Sequence, residues 1–142
     1  MAGFTLIEML VVLAVIGMAL AVVPALLGSL PGTRLRAAAD EVAGALRVAR
    51  SDALASGHSV EVRFDPATRS YAVLPGRATR VLPAAVRAMS VTTSAAFQRK
   101  GEATFRFFAD GTATGGSVVL SDAVRASGVT VDWLTGRVRR VD

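Results

Sequence analysis

The sequence predicts an α+β protein in which one long N-terminal helix packs on an antiparallel β-sheet. An uncharged apolar run comes first, and an apolar stripe of helical period follows it up to about residue 56. After Gly57 the apolar residues alternate with a period of two. Because a helix with one apolar stripe needs a second surface to cover it, the two halves are expected to pack together.

The first apolar run has the length of a membrane span. No residue from Met9 to Thr33 is ionisable. Met9–Leu27 would extend about 28 Å as a helix, close to the ~30 Å thickness of the hydrocarbon core of a bilayer. We therefore expect residues 4–30 to be a transmembrane helix segment. Glu8 lies directly before the run, where a charge costs roughly 2.5–3.5 kcal/mol, so its carboxylate is interpreted as functional.

Prolines and glycines interrupt the helical pattern after this run. A proline inside a helix removes one backbone hydrogen bond and clashes with the preceding turn, at a cost of about 3 kcal/mol. The sequence predicts a kink or a melted stretch between Pro24 and Gly32, with a simple juxtamembrane loop as the alternative.

A second, amphipathic helical stretch follows and ends near residue 56. Its charged residues lie largely off the apolar stripe, and Gly57 is a typical helix stop. The stripe consists of Leu35, Ala39, Val42, Leu46, Ala49 and Ala53.

Roughly six or seven strands are predicted after Gly57. Residues 77–96 are weakly patterned and are read as short strands or a loop. Asp110–Gly116 is rich in turn residues. The clearest strands are Val60–Phe64, Tyr71–Leu74, Ala103–Phe107, Ser117–Leu120, Val129–Leu134 and Arg137–Val141, the last two joined by a tight turn at Thr135-Gly136.

The composition offers little for catalysis, for a metal or for a cofactor. The chain has no cysteine and one histidine, His58, so a Cys-His pair is impossible. Asp110 lacks the neighbouring oxygen ligands that a calcium loop needs. We expect neither an enzyme nor a bound cofactor or metal. The net charge of +5 suits a nucleic acid or an acidic partner, although the bias towards arginine also fits a genome-wide composition effect.

The N-terminal segment Gly3-Phe4-Thr5-Leu6-Ile7-Glu8, followed by the apolar run, resembles the class III signal of type IV pilins and of type II secretion pseudopilins. The resemblance implies that residues 1–3 are a leader, that prepilin peptidase cuts after Gly3 and methylates Phe4, and that Glu8 guides assembly. The leader has no Lys or Arg, unlike the usual basic leader of the family, which either weakens the positive-inside orientation cue or indicates a start that lies upstream. An ordinary signal peptide or plain anchor is the alternative, but it would have a basic start and no Glu before its apolar stretch.

Two C-terminal segments restrict the resemblance to one group of these pilin-like proteins. Phe107-Phe-Ala-Asp-Gly-Thr-Ala-Thr-Gly-Gly-Ser-Val-Val-Leu120 and Val131-Asp-Trp-Leu-Thr-Gly-Arg-Val-Arg139 resemble segments of the GspH/FimT group of minor pseudopilins and minor pilins. The resemblance implies a structural subunit near the tip of a type II secretion pseudopilus. It also implies a bacterial inner-membrane protein with one membrane pass and a pilin-like periplasmic domain over residues 31–142. Its partners would be the other major and minor pseudopilins.

The alternative function is DNA binding during natural transformation, as in FimT-like type IV minor pilins. Gly136-Arg137-Val138-Arg139 fits the basic G-R-x-R motif of those relatives, and Arg140 is adjacent. Alternation on a strand would place Arg137 and Arg139 on one face, where they could hold phosphates. The residues between Gly136 and Asp142 include no aromatic side chain for base stacking, so we favour a solvated edge strand.

Overall fold

The computed structural model describes residues 5–27 and 31–141. It contains two α-helices, a short 3-10 helix and nine strands within those residues. The helices are α1 (Leu6–Leu27), α2 (Pro31–Ser56) and the 3-10 helix Ala95–Phe97. The strands are β1 (Val60–Asp65), β2 (Ser70–Leu74), β3 (Arg80–Val81), β4 (Ala88–Thr92), β5 (Gln98–Arg99), β6 (Glu102–Phe107), β7 (Gly116–Ser121), β8 (Ala126–Val131) and β9 (Val138–Val141).

The chain divides into two compact units, Met1–Arg34 and Leu35–Asp142. In the first unit, the carbonyl of Thr5 accepts hydrogen bonds from the backbone N–H groups of Glu8 and Met9 at 3.1 and 3.3 Å, which begins α1. Within the described parts of the chain, none of the helices combines the length and the apolar character required to cross a membrane.

Of the predicted interruption between Pro24 and Gly32, only residues 28–30 lie outside the described residues, and the others are helical. Pro24 lies within α1, which continues to Leu27, so the helix does not end at this proline. Pro31 is the first residue of α2, a position where its missing N–H and fixed backbone angle are well tolerated. Residues 28–30, between the two helices, are not described.

Helix α2 buries the stripe that the sequence predicts. It ends at Ser56, and Gly57 follows in the left-handed region with a φ of 70°. The N–H of Gly57 donates to the carbonyl of Ala53 at 3.1 Å, which closes the last turn. The buried apolar residues of the helix are Leu35, Ala38, Ala39, Val42, Ala43, Leu46, Ala49 and Ala53.

The strands form two antiparallel sheets rather than one. The five-stranded sheet has the order β3-β2-β1-β6-β5, and the four-stranded sheet has the order β4-β7-β8-β9. One core, in which α2 and both sheets take part, joins these elements. The predicted α+β class is therefore confirmed, while the predicted number of sheets is corrected.

Aromatic residues fill the part of the core beneath the five-stranded sheet. Phe64 and Phe105 meet edge to face, with ring centroids 5.6 Å apart and planes at 82°. Both rings and that of Phe107 are fully buried. Burying a side chain of this size contributes roughly 1.5–3 kcal/mol, so these rings are a major part of the stability of the unit.

Three acidic residues of α2 tie the helix to both sheets. The carboxylate of Asp40 accepts from the guanidinium of Arg140 on β9 at 2.9 and 3.0 Å. The carboxylate of Glu41 accepts from both the Tyr71 hydroxyl and Arg80 at 2.9 Å. Burial, followed by the hydrogen bond to Glu41, raises the pKa of Tyr71 to about 12. The third acidic residue, Asp52, accepts from Arg77 at 3.1 Å.

The strand predicted over residues 129–134 ends earlier than expected. Strand β8 stops at Val131, and residues 132–136 form the turn that leads into β9. The cause is Asp132, whose carboxylate accepts three hydrogen bonds from Leu134 and Thr135 and so bends the chain. The tight turn predicted at Thr135-Gly136 is thus longer and begins at the aspartate.

Candidate functional site

The N-terminal signal is only partly within the described residues. Gly3 and Phe4, the predicted cleavage and methylation positions, lie outside them. Glu8 is described, and it lies exposed in the first turn of α1. A carboxylate at this end of a helix interacts favourably with the helix dipole. The remaining α1 side chains that are described are exposed and mostly apolar.

The C-terminal turn, residues 132–136, is held rigidly by short hydrogen bonds. The carboxylate of Asp132 accepts from the Thr135 N–H and from the Thr135 hydroxyl, each at 2.8 Å. The Asp132 N–H donates to the carbonyl of Arg137 at 2.9 Å, and the Gly136 N–H donates to the carbonyl of Asp132 at 2.9 Å. The hydrogen bonds from Thr135 lower the pKa of Asp132 below its ordinary value, so the turn keeps its acceptor charged at neutral pH.

Trp133 projects outward from this turn while its backbone is fixed. The Ala113 N–H donates to the Trp133 carbonyl at 2.8 Å. A Cβ on Gly115 would lie 2.8 Å from the Cβ of Trp133, so only glycine permits this close approach. Trp133 is nevertheless 65% exposed, and the neighbouring Leu134 is 59% exposed. The fold therefore presents two large apolar side chains on a rigid turn.

Arg50 of helix α2 lies against the turn at Gly136. A Cβ on Gly136 would lie 2.4 Å from the Gly111 carbonyl and 2.9 Å from Nε of Arg50. The Arg50 Nε is buried. The loop at Gly111, the turn at Gly136 and the helix are therefore in close contact at this point.

A cavity of about 550 Å³ lies beside Trp133. Arg137 and Arg139 both line it. The strand predicted over Arg137–Val141 begins one residue later, at Val138, so Arg137 lies just before β9. Thr130, which pairs with Arg139 in the strand register, also lines this cavity. The other residues around it are mainly small and polar, namely Thr92, Thr93, Ser94, Thr114, Gly115 and Gly116.

Arg140 does not belong to this cavity. Its guanidinium donates to both carboxylate oxygens of Asp40 on α2, so it holds β9 against the helix. The structure thus brings together two of the three arginines singled out in the sequence and separates the third.

The sequence analysis did not predict that Trp133 lies near Arg137 and Arg139. Trp133 precedes Gly136 in the sequence, but the turn folds the chain back and places Trp133 and Arg137 at the same cavity. The pattern Asp132-x-x-Thr135, which is typical of an Asx turn, is the sequence signal that could have indicated this reversal.

His58 and the acidic residues do not converge on a metal site. The His58 ring bonds to the carbonyl of Ser56 at 2.8 Å at the end of α2. Within residues 5–27 and 31–141, no group of three or more His, Cys, Asp or Glu side chains could hold a metal ion.

A helix packed on antiparallel sheets behind an N-terminal methylation signal defines a pilin-like protein. The prokaryotic N-terminal methylation motif matches residues 1–24, and the family of type II transport protein GspH matches residues 38–136. The chain belongs to the GspH family, which confirms the predicted resemblance.

Individual relatives agree with this assignment. The type II secretion system protein H of Xanthomonas campestris pv. campestris is 36% identical over 138 residues, which cover 96% of this chain and 81% of that protein. The minor pseudopilin EpsH of Vibrio cholerae matches with a TM-score of 0.61 at 14% identity, over 76% of this chain and 96% of that one. The type IV minor pilin FimU of Pseudomonas aeruginosa matches with a TM-score of 0.60 at 15% identity, over 78% of this chain and 90% of that one. The two structural matches establish the shared fold.

Proposed function

We propose that this protein is a minor pseudopilin that is incorporated near the tip of a type II secretion pseudopilus and supports protein export across the outer membrane. The observation that carries the proposal is the match of the GspH family over residues 38–136 together with the methylation motif over residues 1–24. Its role is structural: α2 and two sheets form a stable unit whose surfaces are available to other pseudopilins.

The proposed location is the bacterial inner membrane, with residues 31–142 in the periplasm. The methylation motif supports an N-terminal anchor, and the exposed apolar side chains of α1 need an apolar environment. In this proposal prepilin peptidase cuts after Gly3 and methylates Phe4. The subunit is incorporated into the pseudopilus only after that step.

Glu8 is the residue through which we propose that assembly is guided. After cleavage, the new ammonium group at Phe4 would lie about one helical turn from the Glu8 carboxylate. A paired ammonium and carboxylate at the edge of an apolar environment attract each other strongly, and removing one partner leaves the other uncompensated.

The test is to replace Glu8 by alanine in the full chain, in cells that contain the other pseudopilins and prepilin peptidase. We expect insertion and cleavage to continue, while crosslinking to the other pseudopilins falls roughly tenfold, which corresponds to about 1.4 kcal/mol of association free energy. Glu102→Ala is the matched control, because it also removes one exposed glutamate but lies on β6. Undiminished crosslinking of the Glu8 variant would refute the assembly role.

DNA binding is not proposed as a second function. Arg140 is engaged with Asp40, so only Arg137 and Arg139 of the predicted basic group share a surface. Two phosphate contacts are few for a duplex-binding protein.

A further inference from the structure

The cavity beside Trp133 combines three kinds of group that recognise ligands. The guanidinium groups of Arg137 and Arg139 are suited to bidentate contact with a carboxylate. Trp133 offers a large, exposed apolar face, and threonine and serine residues also line the cavity. Tryptophan and arginine are the residue types that most often dominate binding energy at protein interfaces.

The charge balance of the second unit points to an acidic ligand. Over residues 35–141, every aspartate and glutamate already has a local role in an ion pair or in a turn. The ion pairs are Asp40–Arg140, Glu41–Arg80, Asp52–Arg77, Glu61–Arg106 and Glu102–Arg63. The aspartates whose carboxylates accept from backbone N–H groups in turns are Asp65, Asp110, Asp122 and Asp132.

The aspartates and glutamates of residues 35–141 therefore all have partners within the chain, and the charge that remains for a partner among these residues is positive. Asp132 also lines the cavity; its carboxylate accepts hydrogen bonds from the turn and interacts electrostatically with Arg139, so one carboxylate faces two guanidinium groups. Charge complementarity then favours a ligand that brings its own carboxylates to the two arginines.

The shape of the site distinguishes a peptide from a nucleic acid. A cavity of about 550 Å³ has the size of a site for a few side chains. A duplex would need a row of cations that follows its backbone, whereas Arg140 pairs with Asp40 on α2 and the other residues that line the cavity are mainly small and polar.

We propose that this cavity binds an acidic, extended segment of a protein partner. One or two carboxylates of the segment pair with Arg137 and Arg139, and an adjacent apolar side chain packs on the ring of Trp133. The rigid turn at Asp132 holds these groups in place before binding, which reduces the entropy lost on association. This site is independent of Glu8 and of the proposed step of filament assembly.

The chain has a single tryptophan, so its fluorescence reports on this cavity alone. The full chain in a neutral detergent is titrated at pH 7 with the capped peptide Ala-Glu-Leu-Asp-Leu-Ala and, separately, with the same peptide carrying Gln and Asn in place of Glu and Asp. We expect the acidic peptide to change the tryptophan emission and to bind at least about tenfold more tightly than the amide peptide, since hydrogen bonds to charged groups are the stronger ones. Equal binding of the two peptides would overturn the proposal.

Two double variants identify the arginines responsible. Arg137→Gln with Arg139→Gln should weaken the acidic peptide at least about tenfold, whereas Arg36→Gln with Arg47→Gln, which removes the same charge from exposed positions of α2, should change its affinity less than about twofold. Equal losses of peptide affinity in the two double variants would show a non-specific charge effect and overturn the proposal. Glu8→Ala should leave peptide binding unchanged, which separates this test from the test of assembly.

A duplex of about 20 base pairs is the competing probe. We expect it to bind more weakly than the acidic peptide at physiological salt. Tighter binding of the duplex, abolished by Arg137→Gln with Arg139→Gln, would overturn the proposal in favour of a nucleic-acid site.

Discussion

Gly136 and Gly57 both adopt a left-handed backbone, with φ of 63° and 70°, but their surroundings differ. A Cβ at Gly57 would meet nothing within 4 Å, whereas a Cβ at Gly136 would lie 2.4 Å from the Gly111 carbonyl. Substitutions at these two glycines therefore distinguish the cost of backbone strain from the cost of steric overlap.

We predict that Gly57→Ala costs roughly 1–2 kcal/mol of unfolding free energy, from the left-handed backbone alone. Gly136→Ala should cost roughly 2–5 kcal/mol, because overpacking adds about 1–3 kcal/mol to the same strain. Thermal unfolding of both full-length variants in a neutral detergent, followed by circular dichroism, measures the difference. Equal losses would mean that the Gly136 turn can move away from Arg50 and Gly111 at little cost.

Asp132 provides the second prediction at the residue scale. Its pKa is lowered in the folded protein by hydrogen bonds from Thr135. A lowered pKa means that the charged carboxylate stabilises the fold above the unfolded value of about 3.9, and that this stability is lost as the pH falls through the lower folded value.

The emission of Trp133 should therefore stay constant from pH 7 to about pH 5 and change only below about pH 4. Asp132→Asn keeps an acceptor oxygen in the turn but does not titrate, so its acid transition should be smaller. An emission change centred near pH 6 in the unaltered protein would contradict the assignment, as would an unchanged transition in the asparagine variant.

At the scale of elements, the contact between α2 and β9 includes an ion pair whose two side chains are partly exposed to solvent. The side chains of Asp40 and Arg140 are 61% and 33% exposed. Exposed pairs contribute about 0.2–1 kcal/mol, while the buried side chains beneath them contribute several times more.

A double-mutant cycle with Asp40→Asn and Arg140→Gln should give a coupling energy of about 0.2–1 kcal/mol that decreases as salt is added. For comparison, Leu46→Ala in the buried stripe should cost roughly 2–5 kcal/mol and respond little to salt. Chemical unfolding of the full-length variants at two salt concentrations tests both values. A coupling above about 2 kcal/mol would show that the ion pair, rather than the core, fixes β9 on the helix.

The elements with strong periodicity could be predicted from the sequence, and the others could not. The stripe of α2, its stop at Gly57 and the hairpin of β1 and β2 follow from local patterns that the structure confirms. Strands β3 and β5 have two residues each, too few for any period to be recognised. The division into two sheets depends on pairing between distant strands, which no local pattern records.

The candidate site shows the same limit. Arg137 and Arg139 both line the cavity, but Arg137 lies before the first residue of β9, so alternation along the strand does not by itself account for their shared surface. The pairing of Arg140 with Asp40 joins residues 100 positions apart, so it is a consequence of tertiary packing. The approach of Trp133 depends on the turn at Asp132 and was missed for that reason.

At the scale of the whole molecule, the remaining prediction concerns the mature N-terminus. Because Gly3 is followed by Phe4 and Glu8 at the spacing of the methylation motif, the mature chain should be three residues shorter and begin with N-methylated Phe4. Intact mass spectrometry of protein extracted from membranes, with and without prepilin peptidase, measures this. A mature N-terminus within Met9–Leu30 would refute the proposed processing.

Every acidic side chain in residues 35–141 takes part in an ion pair or a turn. This affects how readily several copies of the chain can lie side by side in one filament. Helix α2 has more arginines than carboxylates, and its three carboxylates, Asp40, Glu41 and Asp52, already pair with arginines of the same chain, which leaves exposed arginines such as Arg36 and Arg47 in excess. Two copies brought side by side would repel each other, and a polymer of this chain alone would accumulate that repulsion with each added subunit. A subunit of this kind is suited to being rare, with each copy placed among neighbours of opposite charge.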